Sequence, residues 1–207
     1  AVGGLALLDT LQSEEGIYAL KKNARTLKER AVLSNFTFME SIHAKTYGTI
    51  LISLNTFKDI EEIYNWMNND RRMQFKAKKI NDIYQNGTPM QVKVASVFLE
   101  GILYYSNFFI PLWYRGQNKL ANLAELIKLV IRDESVHGTY LGYKFRQDFN
   151  ELSITEQENF TNWMYSFLEE LLDNEFAYTE EVYSEIGLVE DIKTFVKYNA
   201  NKSLQNM

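Results

Sequence analysis

The sequence contains no cysteine and only two prolines, and its acidic residues outnumber its basic ones. Without cysteine the chain has no disulfide framework, no thiolate metal site and no thiol nucleophile, which fits a reducing cytosol. With only Pro89 and Pro111 present, long uninterrupted helices are favoured. The net charge of -5 argues against nucleic acid as the main partner, because phosphate binding needs clustered lysine and arginine.

The sequence also gives no sign of a leader or a membrane span. The first ten residues lack a basic region and reach Asp9 early, so no signal peptide is expected. The apolar run over 98–113 is interrupted by Glu100 and contains Pro111, which makes it too short and too polar to span a membrane. We therefore expect a cytoplasmic protein without a membrane partner. The chain opens without Met in helix-like sequence, which predicts a fragment of a longer protein.

Apolar residues are plentiful and recur with a helical period. They make up 46% of the 207 residues, which suits a single domain over 1–207 with a substantial core. No stretch alternates as a β-strand does. Helices are expected at about 4–23, 26–54, 57–69, 71–85, 88–113, 119–149, 153–185 and 189–203, with a cap and first-turn proline at Thr88-Pro89 and a cap at Ser153 or Thr155. Long helices with short connections predict an all-α antiparallel bundle.

Both histidines of the chain stand three residues after a glutamate. Glu40 precedes His43, and Glu134 precedes His137. Because positions i and i+3 share a helix face, each pair offers one oxygen and one nitrogen to a single metal ion. A lone pair of this kind is most often a solvated surface pair, but both motifs here have apolar neighbours. Two such helices are typical of dimetal-carboxylate bundles.

Two further acids lie inside apolar helical stretches, where an unpaired carboxylate would be costly. Asp9 follows GLALL, and Glu100 lies within ASVFLEGIL. A dimetal bundle takes one carboxylate from each of two further helices, and these acids complete that set. Such ligation suits iron or manganese better than structural zinc. Asp9 also has the simpler interpretation of a helix-start acid, whereas capping does not explain an acid at the middle of a helix.

Tyr47 follows His43 by four residues and Glu40 by seven, so all three share one helical face. A phenol beside an oxidising dimetal centre can lose an electron and a proton and become a stored radical. A packed core tyrosine is the alternative interpretation, and the spacing leaves both open.

Two polar residues are candidates for contacts behind the metal ligands. Asp133 precedes Glu134 and could accept the second N–H of His43, which would fix the tautomer of that imidazole. A salt bridge to Arg132 or a nearby lysine is its alternative. Gln12 lies one turn after the first acid and could hydrogen-bond behind the ligands, or it could simply face solvent.

Four segments strongly resemble the radical-generating small (β) subunit of class Ib ribonucleotide reductase, and the likeness covers essentially the whole chain. These segments are 7–12 (LLDTLQ), 38–47 (FMESIHAKTY), 98–100 (FLE) and 131–138 (IRDESVHG). The order Asp, Glu-x-x-His, Glu, Glu-x-x-His, with a tyrosine four residues after the first histidine, carries the resemblance. Ferritins and bacterial monooxygenases share the bundle but usually have glutamate at the first ligand position and lack this tyrosine.

The resemblance implies a ferritin-like dimetal-carboxylate bundle with additional helices. It assigns Asp9, Glu40 and His43 to one metal ion and Glu100, Glu134 and His137 to the other. It further implies Tyr47 as the radical-bearing residue and Asp133 as the carboxylate that links the ligand histidine to the electron-transfer route.

The cofactor implied is dinuclear iron or dinuclear manganese. The implied partners are a second copy in a homodimer, a large catalytic subunit that converts ribonucleotides to deoxyribonucleotides, and a flavodoxin-like activating protein.

The chain departs from the family at both ends. An N-terminal segment that carries a tryptophan of the radical route and a C-terminal tail that docks on the large subunit are expected but not present. The tryptophans of this chain, Trp66, Trp113 and Trp163, do not occupy the position of that tryptophan.

Two other functions compete with this interpretation. A dimetal oxidase or oxygenase that acts directly on a small molecule would need a substrate channel to the metals. A metal-storage protein would hold many more than two ions per chain and would have no role for Tyr47.

Overall fold

The computed structural model describes residues 1–207 and is helical without a β-strand, which confirms the predicted all-α class. Ten α-helices follow one another: α1 Val2–Leu11, α2 Ile17–Lys22, α3 Leu27–Leu54, α4 Phe57–Asn69, α5 Arg71–Asn86, α6 Pro89–Phe98, α7 Tyr105–Gly116, α8 Ala121–Phe149, α9 Ile154–Tyr183 and α10 Val189–Asn206. Two π-helical segments, Gln12–Gly16 and Leu99–Leu103, lie between α1 and α2 and between α6 and α7. A short 3₁₀ turn, Ser184–Ile186, follows α9.

Side-chain caps fix where several helices begin. The Thr88 hydroxyl accepts the backbone N–H of Gln91, and the Gln91 side chain accepts the N–H of Thr88, with Pro89 in the first turn as predicted. Ser153, rather than Thr155, caps α9 in the same way. These reciprocal bonds satisfy N–H groups that the start of a helix leaves without partners.

Some helix ends differ from the prediction by a few residues. Helix α8 begins at Ala121 because Leu120, with φ 47°, has the left-handed conformation and cannot continue a right-handed helix. Gly187, with φ 70°, ends the α9 region where the sequence places a break. Helix α10 runs to Asn206, three residues beyond the predicted end.

The two π-helical segments are the main departure from the predicted helices. The sequence predicts continuous α-helices over 4–23 and 88–113, and the structure keeps both stretches helical but widens one turn in each. One wide turn begins at Gln12, and the other contains Glu100. Such bulges occur frequently at functional sites, and both lie beside the candidate metal ligands.

The helices pack so that four of them surround one buried polar centre. Helix α1 lies along α3, α6 lies along α8, and α3 also contacts α8. One continuous cluster of buried apolar side chains runs through these helices and reaches α5, α9 and α10. The polar centre therefore lies inside the hydrophobic core, away from bulk water.

One helical stretch, Pro89–Gly116, has the length and apolar composition of a membrane span. However, 83% of its most apolar window is buried inside the fold, and core helices of soluble proteins pass the same test. The stretch contains Glu100 and packs against α8, so its apolar character is explained by the core.

A buried ion pair joins α5 to α9. Lys76 and Glu175 have no exposed surface, and their Nζ and Oε2 atoms are 2.8 Å apart. The Ser106 hydroxyl donates to the other oxygen of Glu175, and the Lys76 ammonium lies 3.9 Å from the centre of the Tyr178 ring. The carboxylate is therefore fully partnered in a place that water does not reach.

Replacing Lys76 with methionine is expected to destabilise the fold by about 3–5 kcal/mol, because it leaves a buried charge on Glu175 without a partner. Urea unfolding followed by circular dichroism measures this loss. The double variant Lys76→Met/Glu175→Gln removes both charges and is expected to recover most of the stability. A single variant as stable as the wild type would show that the pair carries no such charge.

Candidate metal centre

The structure brings the six predicted ligand residues together in the middle of the core. They come from four parts of the chain, and none is more than 3% exposed: Asp9 on α1, Glu40 and His43 on α3, Glu100 in the second π-helical segment, and Glu134 and His137 on α8. Each Glu-x-x-His pair lies on the inner face of its helix, as the spacing requires.

The ligand atoms form two overlapping groups, each within a 4.8 Å span. One group contains Asp9, Glu40, His43 and Glu134, and the other contains Glu40, Glu100, Glu134 and His137. Glu40 and Glu134 belong to both groups. Two adjacent cation positions that share two carboxylates are the arrangement that a dinuclear site needs.

Both imidazoles point their Nδ1 atoms at carboxylates of the opposite motif. His43 Nδ1 lies 3.0 Å from Glu134 Oε1, and His137 Nδ1 lies 2.8 Å from Glu40 Oε1. The two ring centres are 6.4 Å apart. Each histidine therefore faces the shared carboxylates from its own end of the cluster.

The polar atoms of this cluster are buried and largely without hydrogen-bond partners. Both oxygens of Asp9, Glu40 and Glu134 lack a partner, as do one oxygen of Glu100, Nδ1 of His43 and both nitrogens of His137. Orphaned carboxylates are costly in a protein interior unless they are paired or bind a metal. A pair of divalent cations would satisfy these oxygens and Nδ1 atoms, so the residues present fit a dinuclear metal site.

The protonation of the cluster shows how strongly these charges interact. Burial, followed by the charges of Glu40 and Glu134, raises the pKa of Asp9 well above its usual range. Burial is also the largest cause that raises the pKa of Glu100, to about 8. Burial disfavours the charged form of His43, but the adjacent carboxylates of Glu134 and Glu40 outweigh it and raise the pKa to about 11.

Metal binding is therefore expected to compete with protons. At neutral pH the metal-free site keeps a proton on Glu100 and a second proton on the His43 imidazole, because the pKa of each is raised above 7. Metal ligands must lose these protons, so manganese affinity should rise with pH between about pH 6 and about pH 8, with protons released on binding. Calorimetric titration in buffers of different ionisation enthalpy measures both quantities. An affinity that does not change over this range would contradict the proposed ligand set.

Asp133 contacts His43, the histidine for which the sequence makes it a candidate partner. Its Oδ2 atom is 3.2 Å from His43 Nε2, while Nδ1 of the same ring faces the cluster. The alternative pairing with Arg132 is present too, but it is longer, at 3.8 Å, and its guanidinium is exposed. Asp133 is placed to fix the orientation and tautomer of the imidazole.

Gln12 links Glu100 to two further polar side chains by hydrogen bonds. Its amide nitrogen donates to Glu100, and its amide oxygen accepts from the Tyr84 hydroxyl at 2.5 Å. The Ser96 hydroxyl in turn donates to Tyr84 at 3.2 Å. A Cβ at Gly16 would collide with both Gln12 and Tyr84, so glycine at that position makes room for this network.

Tyr84 and Ser96 are site residues that the sequence does not indicate. They lie on α5 and α6, far along the chain from Gln12, and neither belongs to a motif. Only the packing of three helices brings them together. The one weak indication in the sequence is that Ser96 is a polar residue within an apolar stretch.

Tyr47 lies within the same enclosed region. Its side chain is completely buried, and its hydroxyl has no well-oriented hydrogen bond to any group. Burial raises the pKa of Tyr47 well above its usual range, and the charge of Asp9 is the next largest cause. The phenol is therefore neutral and close to the first carboxylate.

The cavity that touches one of the cluster's carboxylates is small. The cavity that touches Glu134 has a volume of about 60 Å³ and is lined by Tyr105, Ser135 and Lys202 among others. A cavity of about 490 Å³ lies elsewhere, between the end of α3 and the start of α8. Since one water occupies about 30 Å³ in the liquid, the cavity at Glu134 admits only very small molecules.

The fold and this cluster define a ferritin-like helical protein with a buried carboxylate–histidine site suited to two metal ions. The family model described as "Ribonucleotide reductase, small chain" matches residues 1–207, and the chain belongs to that family.

Individual relatives agree with the family assignment. The chain is 44% identical over 204 residues to ribonucleoside-diphosphate reductase 2 subunit beta of Escherichia coli (strain K12), covering 99% of this chain and 64% of the relative. It is 42% identical to subunit beta nrdF2 of Mycobacterium tuberculosis, with 99% and 63% covered. The chain thus spans less than two thirds of the length of these relatives.

A solved structure is more similar still. The crystal structure of Streptococcus sanguinis dimanganese(II)-NrdF superposes with a TM-score of 0.97 at 57% identity, covering 99% of this chain and 72% of that one. The class Ib small-subunit family predicted from the motifs is confirmed by these relatives.

Proposed function

We propose that this chain is the metal-binding core of the small subunit of a ribonucleoside-diphosphate reductase. In this function, Tyr47 is oxidised to a stable tyrosyl radical, which is passed to a large catalytic subunit that converts ribonucleotides to deoxyribonucleotides. One observation carries the proposal: a fully buried phenol without a hydrogen-bond partner stands beside a buried set of four carboxylates and two histidines.

The two metal ions would be held by the six residues of the cluster. Asp9, Glu40 and His43 would serve one ion, and Glu100, Glu134 and His137 the other. Glu40 and Glu134 would be available to both ions, because both residues belong to each group. When bound, the dinuclear centre supplies the one-electron oxidation of a nearby phenol.

Tyr47 would hold the oxidising equivalent. Its hydroxyl would be the electron donor to that chemistry, and Asp9, the carboxylate whose charge acts most strongly on it, would receive the phenol proton. Complete burial then keeps solvent and external reductants away from the phenoxyl oxygen. This exclusion is the physical basis for a radical that persists.

The contact between His43 and Asp133 would connect the metal centre to the surface. The Asp133 side chain is 25% exposed, whereas the histidine is almost completely buried. This carboxylate is therefore the point at which the ligand shell approaches solvent or a partner. We assign it to the electron-transfer route between the small and large subunits.

The cofactor is proposed to be dinuclear manganese or dinuclear iron. The Streptococcus sanguinis relative is a dimanganese(II) protein. Carboxylate-rich sites with one imidazole per ion accept either metal. The proposed partners are a second copy in a homodimer, the large catalytic subunit and, for activation of the manganese form, a flavodoxin-like protein, all in the cytoplasm.

The site geometry does not favour the two competing functions. A dimetal oxygenase acting directly on a small molecule needs a substrate channel, and the cavity at Glu134 is only about 60 Å³. A storage protein has no use for a buried, unpartnered phenol beside the metals, which is what Tyr47 provides.

Metal analysis combined with electron paramagnetic resonance tests the proposal. Protein loaded separately with iron and with manganese, each with its oxidant, is expected to hold two ions per chain and to show a tyrosyl signal. The loaded protein should support ribonucleotide reduction only when a large subunit is added. Many ions per chain in an assembled shell would favour storage, and turnover of a small molecule without a partner would favour an oxygenase.

A further inference from the structure

A second tyrosine, Tyr104, lies near the same carboxylates as Tyr47. It is completely buried, and its hydroxyl has no well-oriented hydrogen bond to any group. It lies close enough to Asp9 to lower the pKa of that carboxyl, and burial together with the charges of Asp9 and Glu40 raises the pKa of Tyr104 itself. Asp9 therefore has two phenols close to it, those of Tyr47 and Tyr104.

The second π-helical segment explains how Tyr104 reaches the centre. Tyr104 is four residues after Glu100 and directly follows the segment Leu99–Leu103. Residues four apart share a face in an α-helix, and the wider turn of the π-helix keeps them on the inner side together. The bulge that presents the ligand acid therefore also turns a phenol toward the cluster.

Three other buried tyrosines have conventional structural roles. Tyr84 donates to Gln12, and the hydroxyls of Tyr178 and Tyr183 both donate to Asn107. Among all tyrosines of the chain, only Tyr47 and Tyr104 have a buried hydroxyl oxygen without a partner. Tyr104 therefore resembles the radical residue and differs from the packing residues.

Packing alone does not account for the hydroxyl of Tyr104. Its ring fits edge-on against Phe108, with ring centres 5.8 Å apart, and phenylalanine would make the same contact. A buried hydroxyl without a partner is a cost that phenylalanine would avoid. The oxygen is explained if it is used when the metal centre is occupied.

We propose that Tyr104 is a second oxidisable phenol of the metal centre, which competes with Tyr47 as the electron donor. This inference rests on the proposed function, because the oxidant is the oxidised dinuclear centre. Tyr104 gives one electron to that centre, which is reduced by one electron, and its proton passes to the Asp9 carboxylate. The product is a neutral phenoxyl at Tyr104 in place of the one at Tyr47.

Time-resolved electron paramagnetic resonance tests this proposal. Wild-type protein, Tyr47→Phe, Tyr104→Phe and the double variant are loaded with iron(II), mixed with dioxygen and frozen at successive times. Samples made with ring-deuterated tyrosine show whether a signal belongs to a tyrosine. Tyr183→Phe, which removes a buried hydroxyl away from the cluster, is the control.

The expected result is a transient tyrosyl signal in Tyr47→Phe, with a splitting pattern different from the wild type, that is absent from the double variant. Tyr104→Phe should keep two ions per chain and give a yield of Tyr47 radical at least equal to the wild type. Circular dichroism and metal content show that each variant is folded and loaded.

The proposal is overturned if Tyr47→Phe and the double variant give the same traces at every time point while the wild type forms its radical. A wild-type protein that binds two ions but forms no tyrosyl radical would instead contradict the proposed function. The two failures are therefore distinguishable.

Discussion

Replacing Tyr47 with phenylalanine is expected to abolish the persistent tyrosyl radical and, with it, ribonucleotide reduction in the presence of a large subunit. The change removes only the hydroxyl oxygen, which has no hydrogen-bond partner, so the fold and the six ligand side chains should be unaffected. Electron paramagnetic resonance on the metal-loaded variant, with metal content measured on the same sample, gives the answer.

Tyr183→Phe is the matched control for this variant. Tyr183 is also buried, but its hydroxyl donates to Asn107 and lies away from the carboxylates. The control should retain the full radical signal while losing about 1 kcal/mol of stability with its hydrogen bond. A Tyr47→Phe protein that keeps the persistent wild-type spectrum would show that the radical resides on another residue.

Replacing Glu40 with alanine is expected to remove both metal ions. Glu40 is one of two carboxylates that belong to both groups of the cluster, and its Oε1 atom faces His137 although the residue lies beside His43 in sequence. Losing a shared ligand affects both ions at once. Since changes to residues behind the ligands already cost roughly 10–100-fold in affinity, the loss here should be larger, and purified protein should contain well under one ion per chain.

Glu29→Ala provides a matched control on the same helix. Glu29 is buried too, but it accepts the backbone N–H of Arg25 and is far from the cluster. Its alanine variant should retain two ions, as measured by elemental analysis after loading and desalting. If Glu40→Ala retains two ions, the six-residue site is refuted. Circular dichroism shows whether a variant that lacks metal is still folded.

Local spacing was sufficient to predict most of the helices and to single out the six residues that the structure brings together. The caps at Thr88 and Ser153 involve residues within four positions of each other, so a short stretch of sequence is enough to predict them. The Glu-x-x-His pairs are equally local, because the period of the helix places both side chains on one face whatever packs against them. Tyr47 follows from the same period on α3.

The π-helical segments could not be predicted in this way. Their apolar pattern fits an ordinary helix over the same residues, and the wider turn forms where Gln12 and Glu100 meet across the core. Gln12 and Glu100 are 88 residues apart in the chain. A short window of sequence does not contain that contact.

The sequence by itself determined an all-α chain, four helical stretches that carry the candidate metal ligands, and a tyrosine on the same face as the first Glu-x-x-His pair. Only the tertiary structure decided that Glu40 and Glu134 belong to both groups of candidate ligands and that Tyr104 lies near Asp9. It also decided that Lys76 is buried against Glu175. The physical reason is that helical period fixes which face a residue occupies, whereas the partner it meets depends on how distant helices pack.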